Sequence, residues 1–126
     1  MLKINHVHFK SPDPQSAVQW YIDNLGATII SENRNPDGKG GFFRLDLHGL
    51  PLNISGLVQG QERKQSYGFE HIAVDTDDLP ALSSQLETNG SRLLEEKVLQ
   101  NGRRICFFEA PDGTCLEVLE TAQQSS

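Results

Sequence analysis

The chain has 126 residues, a length that fits one domain of ordinary size. Hydrophobic residues make up 37% and charged residues 22%, so the chain is expected to fold as a globule rather than stay disordered. The formal charge of -6 at pH 7 argues against nucleic acid or an anionic membrane surface as the main partner. No apolar run is long enough to span a bilayer and the N-terminus lacks a signal-peptide core, so a cytoplasmic location is expected.

The first module, about residues 1–57, has the pattern of a βαβββ unit. Alternating side chains predict a strand in "LKINHVHFK", and a helix follows in "SPDPQSAVQWYIDNLG". Ser11 and Asp13 are capping residue types, Pro14 suits a first helical turn and Gly26 suits a helix end. Three further strands are predicted in "ATIISEN", "FFRLDLHG" and "LPLNISG".

A polar stretch at about residues 58–67 is interpreted as a linker, after which the same order of elements begins again. The second module, about residues 68–120, has a strand in "FEHIAVDT" and a helix in "DDLPALSSQLETNG". Strands are predicted in "SRLLEEKV", "RRICFFEA" and "TCLEVLE", the last two joined by a "PDG" turn. The tail, residues 121–126, is expected to fray. Cys106 and Cys115 are interpreted as reduced thiols.

Subtraction of residue numbers supports an internal repeat. Two pairs are separated by 65 positions, His6–His71 and Asp13–Asp78. Four pairs are separated by 64 positions: Gly26–Gly90, Gly49–Gly113, Leu52–Leu116 and Asn53–Glu117. One inserted or deleted residue in the helical region accounts for the difference. Each copy is too small to bury a good core alone, so the two modules are predicted to be halves of one domain.

The predicted strands have one apolar and one polar face. The face opposite His6 is aliphatic and suits packing under a helix; it carries Val7, Phe9, Leu52, Ile54, Ile72, Val74, Leu116 and Val118. The other face carries two histidines, an asparagine and a glutamate at repeat-equivalent positions: His6, His71, Asn53 and Glu117. If the two sheets enclose a shared cavity, these four side chains converge. Imidazole and carboxylate ligands with open coordination positions are typical of a catalytic divalent-metal site.

The quoted motifs also resemble a known family. "NHVHFKSPDPQSAVQWYIDNLG", "EHIAVDTDDLPAL" and "FFEAPDGTCLEVLE" are similar, in order and at repeat spacing, to the vicinal-oxygen-chelate superfamily of glyoxalases, bleomycin-resistance proteins and dioxygenases. The resemblance covers about residues 4–120. It implies an α+β fold in which paired βαβββ modules form a half-barrel or barrel-like sheet around a central metal cavity. It also implies a homodimer, because short members generally dimerise.

The resemblance assigns roles to individual residues. The metal ligands are His6, His71 and Glu117, and the ion is zinc, iron, nickel, cobalt or manganese. The fourth ligand position falls on Asn53, where family members with glyoxalase I activity place glutamate or histidine and epimerase-like members place glutamine. An asparagine there either binds weakly through its amide oxygen or leaves the position to water. His8 shares the face of His6 and is interpreted as a pocket residue.

Three functions remain open at this point. The first is a metal-dependent lyase or isomerase, with Glu117 or a metal-bound hydroxide as the base and Arg103 and Arg104 as candidate contacts to an anionic small substrate. The second is an iron(II) extradiol dioxygenase, which also uses two histidines and a glutamate. The third is a non-catalytic drug-binding resistance protein, against which the retained ligands argue.

Overall fold

The computed structural model describes residues 2–38, 40–57 and 64–121. The chain divides into two compact units, residues 6–70 on the one hand and residues 71–126 with residues 1–5 on the other. The predicted linker at 58–67 and the predicted frayed tail at 121–126 lie largely outside the described residues. The single-domain boundaries therefore stay a prediction.

The first unit contains one helix and four strands. Strand β4 pairs parallel with β1 and antiparallel with β3, and β3 pairs antiparallel with β2, which gives the order β2-β3-β4-β1. The elements are β1 (Leu2–Lys10, whose residues 2–5 are grouped with the other unit), α1 (Pro14–Leu25), β2 (Thr28–Arg34), β3 (Gly41–Leu47) and β4 (Leu50–Ser55).

Helix α1 begins and ends at the predicted residues. The side chain of Asp13 accepts a hydrogen bond from the backbone N–H of Ser16 at 3.3 Å, and Pro14 occupies the first turn. Gly26 closes the helix with a φ of 73°, a left-handed conformation in which a β-carbon would be unfavourable. The exposed His48, at the β3–β4 turn, adds a ring nitrogen within hydrogen-bond distance of the carbonyl of Leu25.

The core of the first unit lies between α1 and one face of its sheet, as the alternation predicted. Half-buried Val7 and Phe9 of β1 pack with this cluster. The fully buried members are Val18, Ala27, Phe43, Leu45, Leu52 and Ile54. The predicted apolar face is therefore confirmed in this module.

The second unit repeats the architecture in the order β5-β8-β7-β6, again with its first and last strands parallel. Asp78 caps its helix by accepting from the backbone N–H of Ala81 at 3.0 Å, as Asp13 does in the first unit. No helix in the described part of the chain has the length and apolar character to cross a membrane. The elements are β5 (Gly68–Thr76), α2 (Leu79–Thr88), β6 (Leu93–Val98), β7 (Arg104–Glu109), a 3-10 turn (Pro111–Gly113) and β8 (Cys115–Glu120).

The second unit has apolar clusters on both faces of its sheet. The helix-side cluster contains Leu79, Cys106, Phe108 and Val118, with Val74 and Leu116 packed against it. The opposite face carries a smaller cluster of Ala73, Ile105, Phe107 and Leu119. This second cluster forms an apolar floor beside the predicted functional residues.

The strand registers confirm the internal repeat. In the first unit His8 lies opposite Asn53 across the parallel β1–β4 pair. In the second unit Ala73 lies opposite Glu117 across β5–β8, at offsets of 65 and 64 from their counterparts. The predicted α+β fold with two βαβββ modules is thus observed.

Candidate functional site

Two of the predicted ligands, His71 and Glu117, lie next to each other in the second module. Nε2 of His71 is 3.1 Å from Oε1 of Glu117, and the two residues are only 3% and 8% exposed. His71 on β5 is two residues before Ala73, the residue paired with Glu117 on β8, so both side chains project from the same face. The sequence prediction that these residues share a face is therefore confirmed.

The ring of Phe107 contributes to the placement of His71. Their ring centroids are 5.8 Å apart with an interplanar angle of 79°, an edge-to-face contact. Phe107 lies directly opposite Glu117 across the β7–β8 pair, so it flanks both functional side chains. A rigid aromatic neighbour restricts the imidazole to few orientations.

An imidazole nitrogen and a carboxylate oxygen within 3.1 Å form a donor set that fits a borderline divalent metal. Both groups are buried and lie on the same face of the sheet. His71 and Glu117 are thus chemically suited to hold an ion from the predicted set.

The first module presents its own buried polar residues on the corresponding face. His6, His8 and Asn53 are exposed by 6%, 6% and 4% respectively. The rings of His6 and His8 lie edge to face with centroids 5.8 Å apart, and His8 Nε2 is 2.8 Å from Ser55 Oγ. The expectation that His8 lines a polar pocket is consistent with its burial. The assignment of His6 as the ligand stays a prediction.

Asn53 faces a cation. It lies opposite Arg44 across β3–β4, and Nη1 of Arg44 donates to Oδ1 of Asn53 over a long 3.5 Å. The amide oxygen, which would be the metal-binding atom of Asn53, therefore already has a guanidinium nearby. Competition from this contact would weaken any ligation by Asn53.

Lys10 is a residue that the sequence reasoning missed. Its ammonium is buried, at 5% exposure for the residue, and donates to Ser55 Oγ at 3.2 Å and to the carbonyl of Gly56 at 3.0 Å. Strand parity could have found it, because Lys10 is four residues after His6 and shares its face.

Glu95 of β6 was also missed. It is 7% exposed, and its Oε2 lies 3.6 Å from Nζ of Lys97, which is also 5.9 Å from the centroid of Phe107. An irregular register between Leu93 and Glu95 breaks the two-residue alternation of β6, so sequence parity could not assign its faces.

Arg103 and Arg104, the predicted anion contacts, have carboxylate and carbonyl partners within their own module. Arg104 donates to both carboxylate oxygens of Glu120 through its backbone N–H and guanidinium, whose Nη2 is 2.9 Å from Oε2. Hydrogen bonds from Arg104 lower the pKa of Glu120, and the same pairing raises the pKa of Arg104. Arg103 donates to the carbonyl of Glu120 at 2.7 Å and lies 3.7 Å from Asp75. Their role toward a substrate stays a prediction.

Both cysteines are free thiols. Cys106 is packed in the helix-side core, and burial, followed by the nearby charge of Glu96, raises the pKa of its thiol. Cys115 lies opposite His71 across β5–β8. The interpretation of Cys106 as a buried, reduced thiol agrees with these features.

Residues 3–118 match the model of the Glyoxalase/Bleomycin resistance protein/Dioxygenase superfamily. The chain belongs to this superfamily. The predicted recognition, also called the vicinal-oxygen-chelate superfamily, is thereby confirmed, and it covers most of both modules.

The curated relatives include isomerases and lyases. The chain is 27% identical to an ethylmalonyl-CoA/methylmalonyl-CoA epimerase of Cereibacter sphaeroides, over 94% of this chain and 96% of that protein. It is 25% identical to the lactoylglutathione lyase of Escherichia coli O157:H7, over 94% and 93% of the two chains. Relatives of similar length therefore include a protein named as an epimerase and one named as a lyase.

Solved structures support the same fold. The methylmalonyl-CoA epimerase of Mycobacterium tuberculosis superimposes with a TM-score of 0.64 at 25% identity, over 95% of this chain and 88% of that one. A hypothetical protein of Bacillus halodurans gives a TM-score of 0.73 at 16% identity, over 99% and 98% of the chains, which indicates shared fold alone.

Proposed function

We propose that the protein is a divalent-metal-dependent lyase or isomerase that moves a proton at a carbon next to a carbonyl group. Its substrate is a small molecule with two neighbouring oxygens able to chelate a metal. The observation that carries this proposal is the buried pair His71–Glu117, whose ligand atoms lie 3.1 Å apart in a chain of this superfamily.

His6, His71 and Glu117 are proposed to hold the ion. His71 and Glu117 lie together within the second module, and His6 occupies the position in the first module that His71 occupies in the second. Asn53, the counterpart of Glu117, is proposed as a weak fourth ligand or as the neighbour of a bound water. When bound, a divalent ion would polarise a carbonyl and stabilise negative charge on its oxygen.

The chain's own groups support proton transfer at that carbon. Glu117 is the proposed base, because its carboxylate lies beside His71 on the face that carries the proposed ligands. His71 orients Glu117 through their close contact, and the ring of Phe107 restricts His71 in turn. The apolar floor of Ala73, Ile105 and Leu119 limits water around the reacting carbon.

Within this class we favour epimerisation of an acyl thioester that carries a second carbonyl or carboxylate oxygen. Asn53 presents an amide where epimerase-like members carry the amide of glutamine, whereas glyoxalase I members carry a carboxylate or imidazole. Relatives named as methylmalonyl-CoA epimerases, at 25% and 27% identity, support this choice. Lactoylglutathione lyase activity is the second candidate, supported by relatives such as that of E. coli O157:H7.

Metal analysis tests the proposed ligands. Protein purified without chelator should contain about one divalent ion per chain by elemental analysis, and His71→Ala and Glu117→Ala should each lose most of it. His48→Ala is the matched control, because His48 is an exposed turn histidine whose ring nitrogen lies against the backbone carbonyl of Leu25. Full metal occupancy in His71→Ala would contradict the proposed site.

Activity assays separate the three functions. Incubation of the metal-loaded protein with (2R)- or (2S)-methylmalonyl-CoA should yield the opposite stereoisomer, detected by chiral chromatography. Formation of lactoylglutathione in a separate assay, without epimerisation of methylmalonyl-CoA, would favour the lyase. Oxygen consumption with catechols under iron(II) would favour a dioxygenase, and tight bleomycin binding by metal-free protein would favour a resistance protein.

Homodimerisation and a cytoplasmic location remain proposals that accompany this function. Light scattering coupled to size-exclusion chromatography should give about twice the chain mass of 14.0 kDa. A mass of 14.0 kDa at micromolar concentration would contradict the dimer.

A further inference from the structure

A cavity of about 340 Å³ lies in the first unit, between α1 and the helix side of its sheet. Its floor is Leu52, which is 1% exposed, and half-buried side chains form its walls. Leu50 and Phe69, at 39% and 43% exposure, stand at its open side, so the cavity has a buried floor and an entrance. The seven lining residues are Val7, Phe9, Tyr21, Leu47, Leu50, Leu52 and Phe69, the last from the start of β5.

This cavity lies on the face of the sheet opposite the proposed metal ligands. Val7 adjoins His6 on β1, and Leu52 adjoins Asn53 on β4. Neighbouring residues of a strand point to opposite faces of the sheet. A molecule in the cavity would therefore contact the apolar side of both strands, at a site separate from the one used in the proposed function.

The lining determines the charge of a fitting ligand. None of the seven lining side chains is ionic, and the hydroxyl of Tyr21 is their single polar group. A charged group would lose its hydration on entering such surroundings and would gain no ionic partner from these side chains, which is strongly unfavourable. The fitting ligand is therefore uncharged.

Three aromatic rings of the lining favour a flat aromatic ligand. The ring of Phe9 stands edge to face with that of Phe69, with centroids 5.8 Å apart and an interplanar angle of 82°. The rings of Phe9 and Tyr21 are 6.3 Å apart and tilted by 54°. Rings set at such angles offer both faces and edges to another ring, and both contacts are favourable between aromatic groups.

The volume of the cavity sets the size of the ligand. An apolar cavity of about 150 Å³ stays dry and holds one benzene molecule. Pockets that bind small molecules begin at roughly 300 Å³. A cavity of about 340 Å³ is therefore large enough for a bicyclic aromatic molecule.

The fold itself does not require aromatic side chains at these positions. At the repeat offset of 65, Val74 and Leu86 take the places of Phe9 and Tyr21. Both aliphatic residues pack against the helix-side core of the second module. The first module thus carries rings where aliphatic side chains complete an equivalent core.

We propose that this cavity binds a small, uncharged, bicyclic aromatic molecule. Binding removes the apolar surfaces of the ligand and of the seven side chains from water, which is the main driving force. No metal ion takes part, so the inference is independent of the proposed function.

The test compares two probes that share one ring system. 2-Naphthol is uncharged at neutral pH, whereas 2-naphthalenesulfonate is an anion. Each probe is titrated into the protein with and without a chelator, and binding is followed by calorimetry and by NMR of the Val and Leu methyl groups. Low and high salt are compared, because salt screens repulsion between the anion and the chain's formal charge of -6.

2-Naphthol should bind with a Kd of roughly 100 µM, with or without the chelator, given the affinity that so few atoms can supply. It should shift the methyl signals of Val7, Leu50 and Leu52. The sulfonate should bind about tenfold more weakly at both salt concentrations, because its charge is not matched by the lining.

Variants at the entrance test the location of the site. Leu50→Trp should fill the entrance and weaken 2-naphthol binding by about tenfold, and Phe69→Ala, which removes a ring, should weaken it by roughly fivefold. Leu99→Trp is the matched control, because Leu99 is 38% exposed and is not a lining residue. It should bind 2-naphthol like the wild type. Thermal unfolding shows that each variant is folded.

Equal affinity for the two probes at high salt would overturn the proposal, as would methyl shifts confined to residues outside the lining. Unchanged binding in both Leu50→Trp and Phe69→Ala would also contradict it. If light scattering showed a wild-type dimer that 2-naphthol dissociates, and a monomeric Leu50→Trp, a second copy of the chain would be the occupant and the small-molecule site would be refuted.

Discussion

The two modules have the same strand pairing and helix capping, but they differ in the buried polar side chains of one sheet face. Both begin with a strand that pairs parallel with the module's last strand, and both cap their helix with an aspartate, Asp13 or Asp78. On the polar face, however, the described strands β1–β4 hold no buried carboxylate, whereas β6 and β8 hold Glu95 and Glu117.

The first module instead places cations on that face. Lys10 is buried, and half-buried Arg44 stands opposite Asn53. The second module places Ala73 where the first has His8, and Phe107 where the first has Arg44. The helix-side core and the caps are thus common to both modules, whereas the opposite face carries buried or half-buried cations in the first module and buried carboxylates in the second.

The largest expected effect concerns one core position that the modules fill differently. Phe43 faces Ile54 in the first module as Cys106 faces Val118 in the second. Phe43→Ala should destabilise the protein by about 3–5 kcal/mol, and Cys106→Ala by about 1 kcal/mol, because the lost volume differs. Urea unfolding followed by circular dichroism measures both. Equal losses would contradict the view that the first module depends more on this position.

A carboxylate at Asn53, the proposed fourth ligand position, should raise the affinity for the metal ion. Asn53→Glu adds a carboxylate where the second module has Glu117, and we expect metal affinity to rise roughly tenfold, or about 1.4 kcal/mol. Competition with a chromophoric chelator measures the change. Asn53→Gln serves as the control, since it lengthens the side chain without adding charge. Unchanged affinity in Asn53→Glu would mean that Arg44 holds the new carboxylate instead.

The two helix caps should contribute equally to the stability of the two modules. Asp13→Ala and Asp78→Ala each remove one side-chain acceptor for a backbone N–H, and each should cost about 1 kcal/mol of unfolding free energy. Thermal and urea unfolding measure the two variants side by side. Asp13→Asn and Asp78→Asn, which keep a capping oxygen, should recover most of the loss. A difference above about 1 kcal/mol between the two alanine variants would break the symmetry.

The smallest expected effect is a pH dependence confined to the second module. Hydrogen bonds from Arg104 lower the folded-state pKa of Glu120, so their contribution to stability is present above the ordinary pKa of the carboxyl. The contribution is lost as pH falls below about 4.5 and through the lowered folded pKa. Arg104→Met should raise the pKa of Glu120, visible by carboxyl NMR titration, and flatten the acid loss of thermal stability.

Arg92→Met is the control for that titration. Arg92 pairs with Glu109 at 2.7 Å near the surface of the same module. The Arg92→Met substitution should leave the pKa of Glu120 unchanged. If both variants shift Glu120 equally, the lowered pKa would come from the overall field of the module rather than from Arg104.

Elements with a clear apolar period and defined ends could be predicted from the sequence. The capping residue, proline and glycine around α1 gave its limits to within a residue, and the alternation of β1 and β4 separated Val7 and Leu52 from His8 and Asn53. The repeat offsets then predicted the same division of faces in β5 and β8, with His71 and Glu117 on one face, as the register shows.

The remaining residues could not be predicted because their placement depends on irregular register and on local partners. The irregularity between Leu93 and Glu95 changes which side chains of β6 face Glu117. The pairing of Arg104 with Glu120 depends on side-chain geometry at the start of β7, and the sequence pattern shows only two adjacent arginines. Strand parity places Lys10 on the face of His6, but the burial of its ammonium group does not follow from parity, since lysine usually reaches solvent.

The parallel pairing of β5 with β8 sets when the second module can become functional. His71 and Glu117 are 46 residues apart in the chain (117 − 71), and they meet only after the helix and two strands between them have been placed. Closing such a long loop is slow compared with forming a hairpin. A nascent chain released before Glu117 would hold the imidazole without its carboxylate, so the proposed metal pair would form only on completion of the last strand.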